Sequence, residues 1–291
     1  MDFGVVFANV GMFASPDGAA AIGKAAEDAG FDSVWTVEHV VVPDGYQSRY
    51  PYDESGRMPG DGMIDMPDPL IWLTWVAAHT STLNLGTGIL IATQRNPLVL
   101  AKEVASLDRL SGGRVRLGVG VGWLAEEFDA IGVPFERRGD RLDEYIAVMR
   151  TLWSEHKATF HGEFCAFDNA VMLPKPANGT VPIIIGGHTK AAARRAGRLG
   201  DGFFPGRTGT EELGQLLAIM RKAAEDAGRN PDSIEITCGS QGVFGDDPIG
   251  AVHKLEDLGV SRIVIPPLSF SPTDIAEALG RFGENVIAKV N

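Results

Sequence analysis

The sequence has 291 residues, of which 44% are hydrophobic, so it can bury a large core and disorder is not expected. Its 38 acidic residues outnumber 26 basic ones and give a formal charge of −12, which disfavours nucleic acid or an anionic membrane as a partner. The length fits one α/β barrel, which takes about 250 residues.

Targeting and redox features are sparse. The chain begins MDFGVVFANV, with an acid and no basic run, so we expect no signal peptide. Residues 70–94 lack charged side chains, but polar residues and glycines interrupt them, which favours helix, turn and buried strand over a membrane span. Cys165 and Cys238 form no CxxC pair. We therefore expect a reduced, cytoplasmic protein without disulfides.

Helix boundaries carry repeated signals. A start is indicated by a capping residue followed by proline, because the cap accepts a free N–H and proline gives up a donor that has no partner. Such starts are Ser15-Pro16, Asp68-Pro69, Asn96-Pro97, Asp247-Pro248 and Ser271-Pro272. An end is indicated by glycine before a polar link and a strand, and such glycines are Gly30, Gly197, Gly228 and Gly259. The recurring junction indicates αβ units side by side.

Short apolar runs predict eight strands between these helices. They span residues 3–8, 33–37, 83–91, 115–120, 181–185, 202–205, 234–239 and 262–265. The runs are nearly continuous in hydrophobicity, as expected for parallel strands covered on both faces. Eight alternations without a break in composition predict the α/β class and a single (β/α)₈ TIM barrel over residues 1–291.

Two segments exceed the minimal barrel. Residues 40–67, after strand 2, are rich in Pro, Gly, Asp, Tyr and Met. A loop of this length is usually a functional lid or a disordered segment, and its position on the catalytic face favours a lid. We expect this lid to be fully ordered only with cofactor or substrate bound. Residues 157–179, before strand 5, predict an inserted hairpin.

In such barrels the active site lies in the loops that follow the strands. The segments after the eight predicted strands are Asn9, Glu38-His39, Gly88-Ile89, Val121-Gly122-Trp123, Gly186-Gly187-His188-Thr189, Gly206-Arg207, Ser240-Gln241 and Pro266-Pro267. They show no nucleophile triad and no metal-ligand spacing, so no metal is expected. Few acid–base groups and several glycines suit a bound cofactor that supplies the reactive electrons.

The strongest anion-binding candidate is the turn at Gly186, Gly187 and His188. Glycines let N–H groups point at a phosphate, and the following helix N-terminus adds about half a positive charge. A plain strand-to-helix turn is the alternative. The run GVGVG at 118–122 is not a dinucleotide fingerprint, because Trp123 stands where GxGxxG requires glycine. Taken alone, His39 leaves both a structural and a catalytic role open.

Several segments together resemble the luciferase-like monooxygenase superfamily. They are AEDAGFDSVWTVEH, LGTGILIATQRNPLVLAKEVASLDRLSGGRVRLGVGVGW, the EEF that follows, and PIIIGGHTKAAARRAGRLGDGFF. They are most similar to the branch that uses the deazaflavin coenzyme F420. The resemblance covers the barrel from strand 1 to strand 8 and is specific for the superfamily. It is less specific for F420 over FMN and says little about the substrate.

The resemblance implies the positions of a cofactor site. Glu38 and His39 match positions beside the deazaflavin ring, with His39 as the catalytic proton donor or acceptor. Gly88-Ile89 matches a bulge with a non-prolyl cis peptide behind the ring. The positions that match the rest of the ring, the polar tail and the phosphate site are Val121, Gly122, Glu126, Gly186, Gly187 and His188. We expect an anion on the N–H groups of Gly187 and His188.

One position departs from the F420-dependent sugar-phosphate dehydrogenases, which have a glutamate acid where this chain has Trp123. An indole has no proton to exchange at neutral pH, which favours an apolar or aromatic substrate. The sequence thus predicts an oxidoreductase that passes a hydride between F420 and a small organic substrate. The alternatives are an FMN-dependent monooxygenase and a non-catalytic flavin-binding barrel. The substrate, the hydride direction and the oligomeric state stay open, and a homodimer is one alternative for the last.

Overall fold

The computed structural model describes residues 1–206 and 209–290, so Arg207 of the strand-end segments lies outside the described residues. Eight parallel strands form a closed barrel in which the last strand pairs with the first, and a separate hairpin accompanies them. The strands are β1 (Asp2–Val6), β2 (Ser33–Thr36), β3 (Asn84–Thr87), β4 (Val115–Val119), β5 (Ala158–His161), β6 (Ala166–Ala170), β7 (Ile183–Gly186), β8 (Gly202–Phe204), β9 (Glu235–Gly239) and β10 (Arg262–Ile265). Strands β5 and β6 form the antiparallel hairpin. The predicted α/β barrel is confirmed, and β5 and β6 lie within residues 157–179, the segment predicted as an inserted hairpin.

Helices surround the barrel. They are α1 (Pro16–Asp28), α2 (Pro69–Ala77), α3 (Pro97–Ser111), α4 (Ala125–Ala130), α5 (Arg138–Ser154), α6 (Lys190–Leu199), α7 (Thr210–Asp226), α8 (Pro248–Asp257), α9 (Ile275–Phe282) and α10 (Ala288–Val290). Four predicted caps are confirmed, since the side chains at 15, 68, 96 and 247 accept N–H groups of the first turn. The predicted start at Ser271 is wrong. Its hydroxyl bonds Thr273 at 2.8 Å, a turn follows, and α9 begins at Ile275.

The glycine signal for helix ends holds at three of four positions. Gly30, Gly228 and Gly259 follow α1, α7 and α8 with φ of +82°, +69° and +88°. The predicted end at Gly197 is wrong, because α6 continues to Leu199. A Cβ at Gly197 would lie 2.3 Å from the Met220 carbonyl oxygen, so this glycine serves the close packing of α6 on α7.

Two strands end two or more residues earlier than predicted. Strand β1 stops at Val6, because Phe7 adopts a left-handed conformation with φ of +60°. Strand β3 stops at Thr87. The peptide bond between Gly88 and Ile89 is cis, as the resemblance implied. Leu90 then returns to the barrel through a single bridge to Val119.

The barrel interior contains an apolar layer and, at the amino ends of the strands, an ionic cluster. The apolar layer contains Val6, Trp35, Ile184, Phe204 and Val264. At the amino ends of the strands, Arg262 is 1% exposed and forms ion pairs with Asp2, Asp32 and Glu235. Those carboxylates stand at or just before the first residue of β1, β2 and β9. This end of the barrel therefore serves stability, and the opposite end is left for the site.

The 40–67 loop lies over the carboxyl ends of the strands. It contains one short 3₁₀ turn, Pro59–Gly62. The buried side chain of Asn9 joins both ends of the loop, since its Nδ2 donates to the Val37 carbonyl at 2.9 Å and the Pro67 carbonyl at 3.1 Å. In the described part of the chain, no helix combines the length and apolarity that crossing a bilayer requires.

Candidate functional site

The imidazole of His39, just beyond β2, lies against the carboxylate of Glu127 in α4. His39 Nδ1 is 3.1 Å from Glu127 Oε2, and the two side chains are 10% and 0% exposed. The second carboxylate oxygen accepts the N–H groups of Val40 at 2.6 Å and Val41 at 3.3 Å. A buried carboxylate therefore fixes the orientation of the imidazole at the carboxyl end of the barrel.

Glu38 faces other partners than its neighbour His39. Its carboxylate accepts the Ile91 N–H at 2.6 Å and an N–H of Arg95, whose same nitrogen also contacts Asp68 at 2.8 Å. Burial raises the pKa of Glu38, while the Arg95 guanidinium acts in the opposite direction. Both carboxylate oxygens of Glu38 already have donors, so in this structure Glu38 binds the segment that follows β3.

The Ile89 side chain explains two glycines of the site. A Cβ at Gly120 would lie 2.1 Å from Ile89 Cδ1, and a Cβ at Gly186 would lie 2.4 Å from Ile89 Cγ2. Ile89 thus spans the space between the ends of β4 and β7. The glycines are required by this side chain, and the structure brings the predicted residues Gly88, Ile89 and Gly186 together.

The turn after β7 differs from the prediction in one respect. Gly187, with φ of +114°, donates its N–H to the Phe204 carbonyl at 3.0 Å, so the prediction that this N–H holds an anion is wrong. Thr189 accepts the Ala192 N–H at 3.1 Å and caps α6. The Nδ1 atom of His188 is buried and has no hydrogen-bond partner among the described residues. His188 is therefore the member of this turn with unused bonding capacity.

The segment after β4 carries Val121, Gly122 and Glu126. Gly122 has φ of +79°, and a Cβ there would lie 2.7 Å from the Phe128 ring. The Val121 carbonyl accepts the Thr93 hydroxyl at 3.2 Å.

Glu126, which the resemblance places along the polar tail of the cofactor, binds the 40–67 loop in this structure. Its Oε1 accepts the N–H groups of Gln47 at 2.6 Å and Ser48 at 3.0 Å, and the Ser48 hydroxyl accepts the Ala125 N–H at 3.1 Å. Hydrogen bonds from Ser48 and Gln47 lower the pKa of Glu126 to about 2. This carboxylate is a latch for the loop.

Aromatic rings connect the 40–67 loop to the strand ends. Trp123 makes edge contacts with His39, Tyr46 and Tyr50, with ring centroids 5.6, 5.5 and 5.2 Å apart. Tyr52 contacts His188 at 5.0 Å. Burial, followed by the neighbouring Tyr52, raises the pKa of Tyr50 to about 12. The space beside His39 is thus bounded by aromatic rings.

Sequence reasoning missed two residues of this region, Glu127 and Arg138. Glu127 is 88 positions from His39, and only its place beside Glu126 in the EEF segment hinted at it. Arg138 donates to the Gly122 carbonyl at 3.2 Å and lies 3.7 Å above the Phe135 ring. Among the described residues it has no carboxylate partner, and burial together with Arg141 lowers the pKa of Arg138. It is a cation beside the site that forms no ion pair within the described residues, although the charge of Glu136 acts on it.

Among the described residues, no His, Cys, Asp and Glu side chains form a group of three or more that could hold a metal ion.

Comparison with known proteins identifies the family. The sequence model of the luciferase-like monooxygenase family matches residues 1–280. The chain belongs to this family. An uncharacterised protein of Mycobacterium tuberculosis is 36% identical to the chain over 281 residues. The matched region covers 92% of this chain and 94% of the mycobacterial protein.

Two further proteins of known name are similar to the chain. The F420-dependent glucose-6-phosphate dehydrogenase of Kineococcus radiotolerans is 34% identical over 235 residues, which are 79% of this chain and 64% of that enzyme. Among solved structures, the monooxygenase RslO1 of Streptomyces bottropensis superposes with a TM-score of 0.79 and 24% identity over the full length of both chains. The second comparison supports the fold.

Proposed function

We propose that this luciferase-like protein is an oxidoreductase that passes a hydride between coenzyme F420 and a small organic substrate. The observation that carries the proposal is the His39 imidazole, held by buried Glu127 at the carboxyl end of the barrel. When bound, the deazaflavin supplies or takes the hydride. A proton enters or leaves with it, and imidazole exchanges protons near neutral pH. The similar glucose-6-phosphate dehydrogenase, whose name states F420, supports the choice of cofactor.

The residues present fit an anionic cofactor with a planar ring. Trp123 offers an apolar face beside His39, and Ile89 offers another at the ends of β4 and β7; close contact with such faces suits a flat ring. His188, with its unpartnered Nδ1, and Arg138, without a carboxylate partner, offer donors for the phosphate and the acidic tail. These two side chains replace the Gly187 N–H as the proposed anion ligands, together with the predicted N–H of His188. The acidic net charge makes such local donors necessary.

The substrate class follows from the rings around His39. Trp123, Tyr46 and Tyr50 form an aromatic wall, and the Oε1 atoms of Glu126 and Glu127 already accept backbone N–H groups, while Oε2 of Glu126 has no partner among the described residues. An apolar or aromatic substrate can stack on the rings of this wall. We therefore propose an apolar or aromatic substrate in place of a sugar phosphate.

An FMN-dependent monooxygenase is the second candidate, and the full-length similarity to a monooxygenase structure favours keeping it. The two are distinguished by titrating the purified protein with F420 and with FMN while recording tryptophan fluorescence. Trp123, next to His39, is the expected reporter, and Trp123→Phe is the matched control that removes this signal. Tight binding of FMN with none of F420 contradicts the F420 proposal, as does binding of neither.

Turnover then separates an enzyme from a flavin-binding barrel. The F420 proposal expects, without oxygen, either oxidation of reduced F420 by an organic acceptor or reduction of F420 by an organic donor, whereas a monooxygenase consumes oxygen with reduced FMN. Bound cofactor without turnover of any acceptor or donor supports the non-catalytic barrel. An absorption spectrum of freshly purified protein gives an independent identification when the cofactor co-purifies.

We also propose a homodimer formed through α2 and α3. Helix α2 has no charged residue, and its outward side chains Ile71 and Trp75 are 73% and 46% exposed. On α3, Val99 and Leu110 are 54% and 78% exposed, and eleven positions place them on one helix face. A helix that is apolar on all sides, as α2 is, is normally buried, and the exposed Val99 and Leu110 of α3 would extend the contact around Glu103. Ile71→Lys should give a monomer by sedimentation; an unchanged sedimentation coefficient contradicts this face.

A cytoplasmic, reducing location is part of the same proposal. Both cysteines are free thiols, and Cys238 is buried. Localisation of a tagged chain in cell fractions tests it, and recovery outside the cytoplasm would contradict it.

A further inference from the structure

Glu127 is a fully buried acid with an unusual set of partners. Its three hydrogen-bond partners are two backbone N–H groups, on Oε1, and the His39 imidazole, on Oε2. Its side chain is 0% exposed, and no Lys or Arg in the described residues pairs with it. A buried carboxylate with this arrangement is costly unless each oxygen has a donor. Its one side-chain partner is the proposed proton-exchanging residue.

The bonding pattern restricts the protonation of the imidazole. An ionised carboxylate only accepts hydrogen bonds, so a contact of 3.1 Å to Nδ1 requires a proton on Nδ1. Neutral His39 then has Nε2 as its acceptor. Nothing in the described residues occupies Nε2, and the contact with Trp123 restricts rotation of the ring.

The same carboxylate also holds the beginning of the 40–67 loop. The Val40 and Val41 N–H groups, directly after His39, share Oε1. The orientation of the imidazole and the conformation of the loop's first residues therefore depend on one side chain.

We propose that Glu127 is the positioning residue of the site: it keeps neutral His39 in the Nδ1–H tautomer and directs Nε2 to the proton that moves with the hydride. The role in turnover rests on the proposed function, whereas the tautomer does not. When Nε2 takes the proton, the adjacent carboxylate stabilises the imidazolium through the same contact. Carboxylate partners orient histidines in this way in metal and hydrolase sites.

The variant Glu127→Gln tests the tautomer directly. A carboxamide has one acceptor and one donor end. If its oxygen keeps the Val40 and Val41 N–H groups, its NH₂ faces Nδ1 and requires the Nε2–H tautomer. We expect the wild-type chain to show Nδ1–H and Glu127→Gln to show Nε2–H in long-range ¹H–¹⁵N spectra of ¹⁵N-histidine protein. The chain has only six histidines, and His39→Asn assigns the signal.

Turnover gives the second readout. Glu127→Gln should lower turnover about 10²–10⁴-fold, the range for losing a correctly protonated acid–base group, while cofactor affinity stays within a few-fold. Glu127→Asp, which keeps the charge, should restore the Nδ1–H tautomer and part of the turnover. Asp129→Asn, on the exposed side of the same helix, is the matched control and should change neither.

The outcomes separate this inference from the proposed function. An Nε2–H tautomer in the wild-type chain overturns the inference without any variant. The inference can therefore be refuted even if Glu127→Gln fails to fold. A tautomer that is unchanged in folded Glu127→Gln overturns it as well. If the tautomer changes as expected but no F420 or FMN turnover is found, the positioning by Glu127 stands and the proposed function fails.

Discussion

Removal of the Glu126 latch should open the 40–67 loop by a measurable amount. In Glu126→Ala, the Gln47 and Ser48 N–H groups lose their shared acceptor, which lies 2.6 and 3.0 Å away. A hydrogen bond to a charged group contributes about 1.5–3 kcal/mol when well shielded, and this carboxylate is only partly shielded. We therefore take about 2 kcal/mol for the pair, or roughly 30-fold in the ratio of open to closed loop.

Hydrogen exchange of a peptide that contains Gln47 and Ser48 measures this change. The exchange rate of those two amides should rise roughly 30-fold in Glu126→Ala and about 5-fold in Glu126→Gln, which keeps an acceptor but loses the charge. Asp129→Ala is the matched control, an exposed acid of the same helix, and should leave both rates unchanged. Equal protection in Glu126→Ala and wild type would refute the latch.

The pH dependence of the latch follows from the pKa of Glu126, which hydrogen bonds from Ser48 and Gln47 lower to about 2. Because the closed-loop pKa is below the ordinary value of 4.5, the contribution is complete above about pH 4.5 and is lost as the pH falls towards 2. Protection of Gln47 and Ser48 should therefore be independent of this carboxylate between pH 5 and 8. The lid function of the loop, and its dependence on cofactor, remain predictions that the same exchange experiment tests with and without ligand.

Three further predictions concern other parts of the chain. His39→Ala and His39→Asn should both lower turnover by about 10²–10⁴-fold in steady-state assays, and recovery in Asn alone would reduce the histidine to a packing role. Burial raises the pKa of Tyr50 to about 12, so its phenol should ionise at a higher pH than exposed phenols in an ultraviolet titration. Because the unfolded chain loses this proton near pH 10, the free energy of unfolding should fall between pH 10 and 12. Ionisation of Tyr50 near pH 10 contradicts this prediction. Arg262→Met leaves the carboxylates of Asp2 and Asp32 without their ion-pair partner, while Glu235 keeps Arg116. The substitution should lower the free energy of unfolding in urea by about 3 kcal/mol, and a loss of less than about 1 kcal/mol contradicts a stabilising role of the cluster.

The elements of the fold were accessible to sequence reasoning because their signals are local. Proline after a capping residue and glycine before a strand act within one turn of chain, and they placed most helix boundaries. Gly197 was misassigned because its reason is the Met220 carbonyl of another helix. Phe7 ended its strand early through a backbone conformation that an aromatic residue rarely adopts, which no apolar pattern encodes.

The site was accessible only in outline. Position at strand ends and the resemblance led to His39, Gly88, Ile89 and the turn at Gly187. The partner of each needed the fold, since the contact with Glu127 crosses 88 positions and the Gly187 N–H is taken by another strand. A glycine at a strand end can be required by a bound ligand or by a neighbouring side chain, and the sequence does not distinguish the two. At Gly120 and Gly186 the neighbouring side chain is that of Ile89.

The ionic cluster at the amino ends of the strands has a consequence for the order of folding. Arg262 meets Asp32 across 230 positions and Asp2 across 260, so these contacts join the two extremes of the chain. Contacts of such sequence separation form late, because the loop they close is entropically expensive until the intervening strands are in place. Before β10 is in place, the edge of β1 that pairs with it and the carboxylates of Asp2 and Asp32 lack the partners they have in the closed barrel.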